Sequence, residues 1–226
     1  MPCYKGSVKF STIDPYPLLQ PDAQSYAEAQ AHAHLVDQWL GLPIELIESQ
    51  LFAPANDQIQ TWVGLKPQAL LTPYTEIRSM LERLKPQTGD TFVDLGCAYA
   101  RMAFVQAAHY PQTRFVGYEL VEPRLQAARD RLAQHAPAEF SYVLECRDIA
   151  GPDFALPDAQ AYFLYDFGTR QQISTILERL RSLAARFSIR VVGRGRRTRD
   201  LIEQEHPWLS QVHRPEHAGH FSIYFS

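Results

Sequence analysis

The sequence predicts an α/β protein: a seven-stranded, mostly parallel, doubly wound sheet with a C-terminal antiparallel hairpin, preceded by a helical N-terminal extension. Three observations carry this. From residue 72 onward, short β-branched and aromatic runs alternate with amphipathic stretches of helical period, the signature of strands linked by crossover helices. At the end of the chain two strand-like runs, LSQVH and HFSIYFS, are joined only by RPEHAG, too short for a crossover and suited to a hairpin. The residues before this alternation show helical signals and no strand pattern, which divides the chain into an extension over 1–65 and a sheet domain over 66–226.

The elements follow in order. Residues 1–24 are rich in proline and turn formers and are expected to lie extended over a surface. Ser25 with Glu28 makes a capping box ahead of YAEAQAHAHLVDQWL, and Gly41 ends that helix. Pro43 starts a second helix, IELIESQLF. Thr72-Pro73 is the expected N-terminus of the next one, in which Ile77, Met80, Leu81 and Leu84 form one apolar face. Strands are then expected at TFVDL, RFVGYEL, FSYVLE, AYFLYD and FSIRVV, with helices between them and a short helix at RDLIEQEH.

Composition bounds the function. With 226 residues, 46% hydrophobic and 21% charged, the chain can bury a core without staples. Its three cysteines (Cys3, Cys97 and Cys146) are far apart and include no CxxC pair, which disfavours a disulfide framework or a structural zinc. The 22 basic against 25 acidic side chains disfavour a nucleic-acid-coating protein. No apolar run reaches a membrane span and the N-terminus lacks a signal-peptide layout, so no membrane and a cytoplasmic setting are the expectation. Oligomeric state is not legible.

Chemistry is expected at the carboxyl ends of the strands, where parallel sheets bind ligands. The first strand runs into Asp94-Leu95-Gly96-Cys97-Ala98-Tyr99-Ala100, an acid followed by small residues that let backbone approach a ligand. The second ends in Glu119-Leu120, where a carboxylate can accept two ribose hydroxyls. The third is followed by Asp148-Ile149, placed for an exocyclic amine. The fourth ends in Tyr165-Asp166, and Trp62 and Tyr74 are aromatic side chains expected near the mouth.

VDLGCAYAR, YEL and RDI resemble the S-adenosylmethionine-binding motifs of class I, Rossmann-like methyltransferases, over about residues 66–226. The resemblance implies S-adenosylmethionine as cofactor. Asp94 and Gly96, Cys97 and Ala98 would lie against its methionine part, Glu119 and Leu120 at the ribose, and Asp148 and Ile149 at the adenine. TPYTEIRSMLERL and AYFLYDFGTRQQISTILERL are loosely similar to the non-SET lysine methyltransferases and their bacterial relatives. A methyl acceptor that is a protein lysine or a small molecule is thereby favoured over nucleic acid. Asp166, Tyr165 and Tyr74 are the candidates for handling it. The fourth strand end lacks the Pro-Pro pair of enzymes that methylate amino groups of nucleic acids. Ala98 and Ala100 stand where the family carries glycine, and since alanine disfavours positive φ the loop is expected in ordinary φ/ψ regions.

Two further clusters are read as structural. Arg190, Arg194, Arg196, Arg197 and Arg199 are expected in a solvated loop, with an acidic partner as the alternative, and the spacing of His206, His213, His217 and His220 matches no zinc ligand set. Two rival readings are a non-catalytic cofactor-binding module and an NAD-dependent oxidoreductase. The latter is disfavoured because Asp94 precedes the first glycine and the chain closes in a hairpin.

Overall fold

The computed structural model describes residues 10–20, 22–51 and 67–226. Helix α1 (Tyr26–Leu40) begins with the expected capping box, Ser25 and Glu28 each bonding the other's backbone amide. It ends at Gly41, whose φ of 72° lets its N–H turn back to the Asp37 and Gln38 carbonyls. Helix α2 (Ile44–Gln50) follows, and a single turn, α3 (Pro67–Leu70), precedes α4 (Tyr74–Leu84). The expected junction at 65/66 and Trp62 lie outside the described residues. Pro73, not Thr72, is the N-cap of α4, and no side chain caps it. Val36 and Leu40 of α1, with Leu42 and Ile44, pack into the same apolar cluster as Ile77, Met80 and Leu81 of α4. Two short helices cannot bury such faces alone, so the extension is built onto the sheet domain.

The sheet contains β1 (Thr91–Leu95), β2 (Arg114–Glu119), β3 (Ser141–Cys146), β4 (Ala161–Tyr165), β5 (Arg190–Arg194), β6 (Glu216–Ala218) and β7 (Phe221–Phe225). Their order is β3-β2-β1-β4-β5-β7-β6, parallel from β3 to β5, with β7 antiparallel to both neighbours. The order reverses between β1 and β4, the switch point where a ligand cleft is expected. Helices α5 (Arg101–His109), α6 (Glu122–His135), α7 (Arg170–Ala184) and α8 (Arg196–Glu205) complete the layers. Phe92, Phe115 and Phe163 point to the face carrying α1, α4, α5 and α6, while Val93, Val116 and Tyr162 point to the face carrying α7 and α8. Strand residues thus alternate between two cores, as a sheet buried on both sides requires.

Two expectations are corrected at the C-terminal end. LSQVH is not a strand: Pro207–Ser210 is a 3₁₀ turn, and the hairpin is made by Glu216–Ala218 inside the presumed loop. Gly219-His220 is a two-residue connection with Gly219 at φ 56°, so the true turn is tighter than the sequence spacing suggested. The arginine run is not a loop either. Arg190 and Arg194 belong to β5, and Arg196, Arg197 and Arg199 to α8.

Candidate active site

A cleft of about 520 Å³, counting its open mouth, lies at the switch point. Asp94, Gly96, Cys97 and Ala98 line it from β1 and its loop, Tyr165 and Arg194 from the tips of β4 and β5, and Leu70, Leu71 and Thr72 from the chain before α4.

The loop is left-handed at three points. Gly96 has φ 95°, Ala98 48° and Ala100 51°, which corrects the expectation of ordinary backbone. An alanine in this region costs about 1–2 kcal/mol, so the surroundings must hold it there. The Ala98 N–H donates to Glu119 Oε2 at 2.9 Å, and the Ala100 N–H to the Cys97 carbonyl at 2.7 Å. Ala100 then serves as N-cap of α5. Cys97 contributes backbone only: its thiol is buried against Gly117, where an added Cβ would lie 2.8 Å from the sulfur, and burial pushes its pKa up.

Asp94 is half-buried in the wall of the cleft and accepts no hydrogen bond from any side chain or loop amide among the described residues. Burial, and then the charge of Glu119, raises its pKa to about 7. Glu119 is the opposite case. Its carboxylate accepts the Ala98 amide, the Leu120 amide at 2.9 Å and the Val121 amide at 3.0 Å, and Arg124 lies 3.7 Å away. Arg124 is in turn held by Glu48 of α2 at 2.8 and 2.9 Å, and Glu48 accepts the Tyr99 hydroxyl at 2.7 Å. Leu120 beside it is an exposed apolar surface, Asp148 is exposed and bonds the Ala150 amide, and Ile149 is buried in the core.

The three residues expected to handle the acceptor are not brought together. Asp166 turns from the cleft to α8, its Oδ1 accepting the amide (2.8 Å) and hydroxyl (2.9 Å) of Thr198. It is a helix cap, of α8 rather than of its own following helix, which Thr169 and Gln172 cap. Its φ is 34°, and Gly195 has no room for a Cβ because one would fall 2.3 Å from the Asp166 carboxyl. Tyr74 is fully buried and donates to Asp37 at 2.8 Å, under the guanidinium of Arg101. Burial pushes its pKa well up. Tyr165 does line the cleft, donating its hydroxyl to the Ala69 carbonyl at 3.1 Å.

Two arginines were not read from the sequence as site residues. Arg101 opens α5, forms a buried bidentate pair with Asp37 of α1, and also bonds Gln68 and the Thr72 carbonyl. Arg194 is 4% exposed, pairs with Glu76 at 2.9 and 3.1 Å, and stacks 4.1 Å over the Tyr165 ring. Burial works against its charge, but Glu76 overrides this and raises its pKa. The signal for Arg194 was present: Arg-Gly before a helix repeats the strand-to-helix turn of Leu95-Gly96.

The methyltransferase domain of bacterial CtHen1-CN matches with a TM-score of 0.52 at 13% identity, over 66% of this chain and 96% of that one. TrmN from Thermus thermophilus matches with 0.50 at 16% identity, over 69% of this chain. The fold is that of the class I, Rossmann-like methyltransferases. The match spans 48% of the TrmN chain. No protein-family model matches, and no curated protein matches in sequence.

Proposed function

We propose that this protein is an S-adenosylmethionine-dependent methyltransferase. The observation that carries the reading is Asp94: a half-buried carboxylate without a hydrogen-bond donor among the described residues, beside a loop that exposes backbone at Gly96, at the switch point of the sheet. A partly desolvated acid that no protein donor stabilises is a site for a cation, and the methyl donor carries a sulfonium and an ammonium. The left-handed loop and the exposed Leu120 fit the rest of the molecule, the leucine as an apolar surface for adenine. Glu119 fits a smaller part than the sequence suggested. A carboxylate offers about four lone-pair directions and three are taken by amides, leaving one for a ribose hydroxyl.

When bound, S-adenosylmethionine supplies an electrophilic methyl carbon. The task of the protein is then to align a nucleophile with it and exclude water, because in-line displacement is governed by positioning. Tyr165, Leu70 and Leu71 supply the walls for this. Asp37 of α1, with Arg101, holds segment 67–72, which supports a role for the N-terminal extension in shaping the acceptor end. The charge-based preference against nucleic acid carries little weight here, since one fold serves many acceptors.

Calorimetry with S-adenosylhomocysteine and with NAD tests the reading. Binding of the first and not the second is expected. The reverse would favour an oxidoreductase. Cofactor binding with no methyl transfer to any of a broad substrate panel would favour a binding module.

A further inference from the structure

We propose that the acceptor is a small-molecule carboxylate, bound by Nη1 of Arg194 and converted to its methyl ester. This rests on the methyltransferase reading and names the substrate class of the same cleft. The guanidinium forks decide it. In Arg101 all three nitrogens are engaged, by Asp37, Gln68 and the Thr72 carbonyl. In Arg194, Nε and Nη2 are taken by Glu76 and Tyr26, whereas Nη1 bonds no carboxylate or carbonyl among the described residues, the guanidinium lying against the Tyr165 side chain. Nor is Nη1 one of the sealed, orphaned polar atoms of the core. An otherwise buried arginine thus leaves Nη1 accessible beside the cleft that it lines, amid Leu70, Leu71, Phe163 and Val192. A charge-assisted donor in an apolar slot selects an oxygen acceptor with a hydrophobic body.

Proton handling narrows the class. A lysine ammonium or a hydroxyl must lose a proton before it can attack, and an ammonium would be repelled by the guanidinium over Tyr165. The Asp166 carboxylate is turned to α8, and the Tyr165 hydroxyl donates to Ala69. Asp94 is the acid among the described lining residues, and it faces the donor's cationic part in the reading above. A carboxylate is already ionised at neutral pH and requires no base. One of its oxygens attacks the methyl carbon in line with the C–S bond. That bond breaks, its electron pair goes to sulfur, and a methyl ester and S-adenosylhomocysteine result. The negative charge of the acid and the positive charge of the sulfonium cancel, and no proton moves.

The test is calorimetry on the full chain with saturating S-adenosylhomocysteine, titrating hexanoate and benzoate against hexanamide and benzamide. The acids are expected to bind at least about tenfold more tightly. The preference should vanish in Arg194→Lys, which keeps a cation for Glu76 but lacks the second fork; its fold is checked by circular dichroism and cofactor binding. A product readout accompanies it: label transferred from methyl-labelled S-adenosylmethionine to a small-molecule extract should be released as methanol by mild alkali. No acid binding, equal affinity for acid and amide, a preference that survives in Arg194→Lys, or alkali-stable label would overturn the carboxylate and leave the methyltransferase reading standing. Failure of the wild-type protein to bind S-adenosylhomocysteine would overturn both.

Discussion

Asp94 and Glu119 end adjacent parallel strands, one before and one beside the same loop, yet they are solvated in opposite ways. Glu119 is surrounded by three amides and an arginine; Asp94 has none of these and holds its proton up to about pH 7. The difference teaches what each is for. An acid whose lone pairs are filled from within stabilises the apo fold, whereas an acid left without donors destabilises it and gains by binding a cation.

The largest test of this contrast is Glu119→Ala. It strands the Ala98, Leu120 and Val121 amides and removes one of the carboxylates beside Arg124, so a loss of about 3 kcal/mol is expected in urea denaturation, with weaker S-adenosylhomocysteine binding. A variant as stable as wild type would mean that the loop holds itself. Asp94→Asn should do the reverse. The folded value of Asp94 lies above the unfolded 3.8, so the folded state binds more protons between pH 4 and 7, and stability falls as pH rises through that window. Above it the penalty is complete. Asparagine removes it, giving a stabilisation on the order of 2 kcal/mol at pH 8 and a flatter stability profile, together with at least about tenfold weaker cofactor binding. For the wild type, cofactor affinity should decline as pH drops below 7. Unchanged stability at pH 8 would remove Asp94 from its assigned role.

Smaller effects are expected where the loops only need holding. Asp166→Asn keeps an oxygen for Thr198 and a residue that tolerates positive φ, so stability within about 0.5 kcal/mol and turnover within about twofold are expected. A large fall in kcat at constant cofactor affinity would return Asp166 to proton handling. Ala98→Gly is also small: relief of a left-handed alanine is offset by the entropy of glycine, for a net change below about 1 kcal/mol in thermal melts.

Much of the fold was legible because hydrophobic period and capping chemistry are local. Ser25, Glu28 and Gly41 bound α1 where expected, and the five alternating strands fell into place. What failed was non-local. The left-handed Ala98 depends on a carboxylate 21 residues away, and the direction of Asp166 on Thr198, 32 residues on. The burial of Arg194 depends on Glu76, 118 residues earlier, so a run of arginines looked solvated. LSQVH has strand composition, yet Pro207 opens a 3₁₀ turn there, and register with β7 selected Glu216–Ala218 instead.

The Asp37–Arg101 pair couples regions that are far apart in sequence. Asp37 accepts from Tyr74 and Gln68 as well as from Arg101, and Arg101 begins the helix that continues the left-handed loop. Opening α1 would therefore leave a buried guanidinium and a tyrosine hydroxyl unpaired at once. Amide protons of α1, α4 and the first turn of α5 should accordingly exchange with solvent together, as one cooperative unit, while the β6–β7 edge opens independently. In that sense the loop at the end of β1 inherits its rigidity from a helix laid down sixty residues before it.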